Sequence, residues 1–132
     1  MKSALHRVTV RTPESDYTIE AEAVRIGTDI LVYIWGGERP HIGAVAAAQP
    51  RPSLSDPNKT SATASVLTYP AHKEDSAVKL VAEALAARLS TNVVVTAGIH
   101  WDNLRAQNID VVMDRCREII DLLGRALEQE EK

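Results

Sequence analysis

The sequence predicts an α+β fold, a mainly antiparallel mixed sheet with two amphipathic helices packed on one face, and three observations predict it. β-Branched runs fill the first third of the chain, apolar residues recur at helical spacing in two later segments, and a short β-branched run separates those segments. At 132 residues the chain has the commonest domain size and is expected to form one domain over residues 1–132.

Residues 5–11, 17–26 and 29–35 read as strands, and Gly27-Thr28 as the hairpin turn between the second and third. Residues 42–48 are small and apolar, which suits a strand packed closely on both faces. Residues 49–60 hold Pro50, Pro52 and Pro57 among Ser53, Ser55, Asp56 and Asn58, so a long irregular loop, a lid or a floppy surface loop, is expected there. Residues 61–69 alternate small polar and apolar side chains and stop at Pro70, as a strand with an exposed face does. Residues 76–89 place Val78, Val81, Leu85 and Leu89 on one helical face, with Glu74 and Asp75 near the positive end of the helix dipole. A short strand over 92–97 follows, then a second helix over 108–127 with Asn108 as its N-cap. The charged tail, 128–132, is expected to fray.

A formal net charge of -3 with scattered basic residues argues against nucleic acid as the main partner. Cys116 is the only cysteine, so no intramolecular disulfide forms, and the chain reads as cytoplasmic. Its neighbours Ile109, Val112, Met113, Ile120 and Leu123 share its helical spacing, which makes it an inert core residue rather than a catalytic thiol. No apolar run has membrane-spanning length and no signal-peptide core is present.

Candidate chemistry concentrates in three turns. The first is Trp35-Gly36-Gly37-Glu38-Arg39-Pro40-His41-Ile42-Gly43, the second His72-Lys73-Glu74-Asp75, the third His100-Trp101-Asp102-Asn103. Glycines permit positive φ and close approach of a ligand, Arg39 and Lys73 are candidate partners for an anion, and Trp35 and Trp101 offer flat rings for stacking or cap the core. If the helix over 76–89 joins parallel neighbouring strands, His72 and His100 share the sheet edge where open α/β sheets place ligands. His41 joins them if its hairpin points the same way. The histidines are too far apart in sequence to read as a metal motif, and either His72 or His100 paired with Glu74 or Asp102 would make an acid–base couple. No Gly-x-Ser-x-Gly elbow, Walker loop or dinucleotide fingerprint is present.

The same three stretches, from Gly36-Gly37-Glu38-Arg39-Pro40-His41-Ile42-Gly43-Ala44 through Tyr69-Pro70-Ala71-His72-Lys73-Glu74-Asp75 to Gly98-Ile99-His100-Trp101-Asp102-Asn103, resemble the LpdD-like prenylated flavin chaperones, small cytosolic proteins associated with UbiD-class decarboxylases. The resemblance covers most of the chain. It implies non-catalytic binding of prenylated flavin mononucleotide (prenylated FMN) and its delivery to, or maturation in, a UbiD-class decarboxylase. It also implies a site drawn from Trp35, Gly36, Gly37, Arg39, His41, Gly43, His72, Lys73, His100 and Trp101. Arg39 or Lys73 would meet the phosphate, and the three histidines would hydrogen-bond polar ring atoms. No catalytic residue and no metal ligand is assigned. A homo-oligomer is expected, with the small-residue strand over 42–48 at a subunit interface. Two other classes stay open: a small metal-dependent or acid–base enzyme using His41, His72 and His100, and an assembly subunit whose Pro-rich loop contacts a partner.

Overall fold

The computed structural model describes residues 6–69 and 74–130. Strands β1 (His6–Arg11), β2 (Ile19–Ile26), β3 (Asp29–Gly37), β4 (Ala44–Pro52) and β5 (Thr60–Thr68) are followed by α1 (Asp75–Leu89), β6 (Val93–His100) and α2 (Ala106–Glu130). They form the expected α+β arrangement, a six-stranded sheet in the order β1-β2-β3-β6-β4-β5. Only β3 and β6 pair in parallel; the other neighbours are antiparallel.

Strand alternation assigns the two faces. Ile19, Ala21 and Ala23 of β2, Ile30, Val32 and Ile34 of β3, Ala44, Ala46 and Ala48 of β4, and Val93, Val95 and Ala97 of β6 are all buried beneath the helices. Helix α1 lies over β4, β5 and β6, and α2 over β1 and β2, with the helices also touching each other. Alanines meet alanines where α1 approaches, since Ala77, Ala82 and Ala86 join the alanines of β4 in the core. Larger side chains, Leu85, Ile119, Leu123 and Leu127, fill the rest, each stabilising by about 1.5–3 kcal/mol.

The two-residue turn at Gly27-Thr28 forms as expected, with Gly27 at φ +62°. Several boundaries differ from the sequence reading. The long loop over 49–60 is instead a hairpin: β4 runs through Pro52, β5 starts at Thr60, and Ser53 N–H donates to the Lys59 carbonyl at 2.8 Å to close the turn. Prolines are tolerated because β6 pairs with β4 only from Ala44 to Ala48, so Pro50 and Pro52 have a neighbouring strand on one side alone. Strand β6 continues to His100, which places that histidine in the strand rather than in a turn. Helix α2 begins at Ala106, and the Asn108 side chain accepts a hydrogen bond from the Arg105 N–H at 3.4 Å, acting from inside the first turn instead of as N-cap.

Residues 128–130 are helical, because Glu128 pairs with Arg88 of α1 at 2.7 Å and Glu130 with His6 at 3.1 Å and Arg25 at 3.7 Å. The Arg88 guanidinium lies over Gly124, where a Cβ would come within 2.5 Å of it.

The β5–α1–β6 unit also differs. Both strands run the same way, but β4 lies between them, so they are not neighbours. Among the described residues no helix is long and apolar enough to cross a membrane.

Cys116 is buried in the core, and burial pushes its thiol up to about 11 against a smaller opposing effect of the Arg117 charge. A thiol reagent is therefore expected to leave the native protein unmodified at neutral pH and to label it fully in denaturant; fast labelling of the native chain would contradict this packing.

Candidate functional site

The parallel pairing of β3 with β6 sets Gly36 opposite Ile99 and Gly37 opposite His100, so both strands end at one edge of the sheet. The loop over 38–43 turns at this edge and is held at both ends by backbone. Glu38 N–H donates to the His100 carbonyl at 2.7 Å and Gly43 N–H to the Ala97 carbonyl at 2.9 Å. Tyr69 N–H donates to the Gly43 carbonyl at 2.9 Å, bringing the end of β5 to the same edge.

Glycines make this convergence possible. Gly37 sits at φ +86°, and a Cβ there would lie 2.0 Å from the His100 carbonyl oxygen. At Gly98 a Cβ would lie 1.5 Å from the His41 carbonyl oxygen, and at Gly43 it would lie 2.4 Å from the Glu74 carboxylate. The space freed at Gly37 and Gly43 is thus taken by other parts of the chain. Gly98 was not singled out from the sequence, although a glycine inside a β-branched run is the signal for a close backbone approach.

His41 and His100 share this edge, which the sequence left open for His41; His72, the partner expected for His100, and Lys73 lie outside the described residues. His41 Nδ1 is 2.9 Å from the Arg39 carbonyl, and its Nε2 is 2.9 Å from Glu74 Oε1, a carboxylate whose side chain is 10% exposed. Both neighbours are acceptors, so both contacts are hydrogen bonds when each ring nitrogen carries a proton. His100 Nε2 meets Asp102 Oδ1 at 3.0 Å, one of the couples the sequence left open, and Arg39 stands 3.7 Å from the same carboxylate. The hydrogen bond from His100, with the Arg39 charge beside it, holds the Asp102 carboxyl below its ordinary range. Among the described residues no group of three or more His, Cys, Asp or Glu side chains could hold a metal ion.

The two tryptophans are not brought together. Trp101 packs against the helix-covered core, edge-on to Tyr17 with ring centroids 5.1 Å apart. Trp35 alternates with buried Ile34 and lies on the opposite, uncovered face, stacked on Tyr33 at 6.0 Å.

That uncovered face borders the candidate site and was not identified from the sequence. Strand register lines up Glu22, Tyr33, Thr96, Val45 and Leu67 across it. A groove of about 430 Å³ lies beside Leu31, Tyr33, Trp35, Pro40 and His41. A second, of about 500 Å³, is lined by Ala44, Val45, Leu67 and Tyr69, and both include Ile42 and Thr96. Alternation marks these side chains as one face, but only the placement of the helices shows which face stays open.

On the β1–β2 side the groove gives way to a polar network. Glu22 accepts hydrogen bonds from Tyr33, from Arg7 at 3.2 Å and from Thr9 at 3.2 Å.

Two predictions follow from this geometry. Gly98→Ala forces the 38–43 loop away from β6 and is expected to destabilise the fold by more than about 1 kcal/mol, read from denaturant unfolding. The Tyr33 hydroxyl is raised above 10.0, chiefly by its hydrogen bond to Glu22, and Glu22 is lowered below 4.5 chiefly by the same bond. A raised group stabilises below its unfolded value and a lowered one above it, so this pair supports the fold between about pH 4.5 and pH 10 and fades on either side. Tyrosinate absorbance of the protein minus that of Tyr33→Phe should show Tyr33 ionising late, and Glu22→Gln should move it back towards the ordinary value.

Comparison with known proteins agrees with the resemblance in the three turns. Residues 13–128 match the prenylated flavin chaperone LpdD-like domain. Protein LpdD of Lactiplantibacillus plantarum is 26% identical over 133 residues, covering 94% of this chain and 90% of that protein. A chain from the crystal structure of a chaperone complex for yeast 20S proteasome assembly superposes with a TM-score of 0.49 and 11% identity, covering 91% of this chain and 98% of that one. With the family match spanning nearly its whole length, the chain belongs to the LpdD-like prenylated flavin chaperone family.

Proposed function

We propose that this chain binds prenylated FMN without transforming it and delivers it to, or matures it in, a UbiD-class decarboxylase. One observation carries the reading. In a member of the LpdD-like family, Trp35, Arg39, His41 and His100 converge at one sheet edge beside an apolar groove. A planar, anionic ligand needs an aromatic or apolar surface for its ring, a cation for its phosphate and a few hydrogen-bonding groups at its polar ring atoms. Trp35 offers the ring surface, Arg39 or Lys73 the cation, and His41, His72 and His100 the hydrogen-bonding groups. Arg39 is exposed and, among the described residues, its guanidinium pairs with Asp102 at 3.7 Å, a contact it can exchange for a phosphate. Gly36, Gly37 and Gly43 serve by letting the loop lie where these groups meet, and Trp101 by anchoring the stretch after His100 to the core. On this reading residues 1–132 act as one domain, in the cytoplasm, as a homo-oligomer.

The couples His41–Glu74 and His100–Asp102 favour a second reading, a small acid–base or metal-dependent enzyme using His41, His72 and His100. Native mass spectrometry and absorption spectra separate the two. Protein co-expressed with a prenylated-flavin synthase is expected to carry the prenylated cofactor and to activate an apo-decarboxylase when mixed with it. Arg39→Ala should weaken binding about tenfold or more, the usual loss for one charged hydrogen bond to phosphate, with an unchanged melting temperature. Ligand-free protein that carries a stoichiometric metal would instead move the enzyme reading ahead.

A further inference from the structure

We infer that the uncovered sheet face reads the prenyl group itself, with Ile42, Val45, Leu67 and Tyr69 as the residues that distinguish prenylated from unmodified FMN. The inference rests on the functional reading above and assigns a part of the site that, Ile42 apart, lies outside the three turns.

The groove on this face has two parts of different chemistry. One, beside Tyr33, Trp35, Pro40 and His41, is aromatic and borders the loop that carries Arg39. The other, lined by Ala44, Val45, Leu67 and Tyr69, contains no charged side chain among the described residues. Ile42 and Thr96 belong to both, so the parts adjoin. Their volumes fall within the range of small-molecule sites.

Leu67 is 74% exposed, Tyr69 63% and Ile42 61%, so large apolar side chains face water side by side. Such patches on otherwise polar surfaces mark places where something apolar is bound.

Charge and shape decide the occupant. In a flavin bearing a fused prenyl-derived ring, the ribityl phosphate and the added apolar carbons leave opposite edges of the ring system. The two ends of this face match that division. Arg39, a cation on the loop that borders the aromatic part, suits the phosphate end, and the aliphatic part lies on the other side of Ile42. Unmodified FMN would leave the aliphatic part wet, so each apolar carbon added to the ligand removes surface from water only in the prenylated form.

Leu67 and Tyr69 are mostly exposed and line the aliphatic part alone, so polar replacements there spare both the core and the aromatic part. The test is anaerobic titration of the protein, Leu67→Gln and Tyr69→Gln with prenylated FMN and with FMN, read by quenching of tryptophan fluorescence, with melting temperature and sedimentation as controls. The native chain is expected to bind prenylated FMN at least about tenfold more tightly than FMN. Each variant should lose most of that preference through weaker prenylated-flavin binding, with FMN affinity and melting temperature unchanged.

Equal binding of the two flavins by the native chain, or a preference that survives both substitutions, would overturn the inference while leaving cofactor binding intact. Binding of neither flavin would overturn it together with the functional reading. If the substitutions turn a dimer into a monomer while the preference persists, the face joins two copies of the chain and the inference falls.

Discussion

Everything at the candidate site depends on β6 pairing in parallel with β3 while also pairing antiparallel with β4. Inserted between strands that precede it in the chain, β6 brings His100 beside Gly37 and makes the end of β3, the end of β6 and the start of β4 one edge. The 38–43 loop then has a surface to close on. Its backbone bonds to His100 and Ala97 and its contact with Gly98 are consequences of that register. Two parallel strands ending together also leave their turns on the same side, the arrangement that builds ligand sites in sheets of this kind.

The helices act by where they are absent as much as by where they pack. Both cover one face, and the alanines of β4 and α1 let that layer close tightly. The other face keeps Tyr33, Trp35, Val45 and Leu67 facing water, bordered by the Arg7–Glu22–Tyr33 network. A sheet so divided has a stabilising side and a side available for recognition, and the loop edge joins them through His41, which lines the open groove and reaches Glu74 beside α1.

Polar groups at the edge are organised mutually. His41 bridges the Arg39 carbonyl and Glu74, while Asp102 is shared by His100 and Arg39. A loop tied this way is pre-positioned, which reduces the ordering cost of binding. The exposed Arg39 is the member whose present contact is loosest and most readily exchanged.

Much of the fold was legible because its signals are local. Helical spacing located α1, alternation and β-branched residues located five of the strand regions, and Gly27-Thr28 marked its turn. Three polar turns pointed to the loop edge and, by resemblance, to the family. What needed tertiary structure was every property set by partners distant in sequence. Pro50 and Pro52 looked like loop breakers until β4 was seen to lack a second neighbour there. Trp35 and Trp101 looked like a pair until strand alternation put them on opposite faces. Gly98 looked like the residue just past a strand until β6 was seen to run through it with the His41 carbonyl against it. The sequence by itself determined the elements and the residues able to do chemistry, because propensity and residue type act over a few neighbours. Only the tertiary structure decided strand order, the open face and the histidine partners, because those follow from which surfaces the folded chain buries.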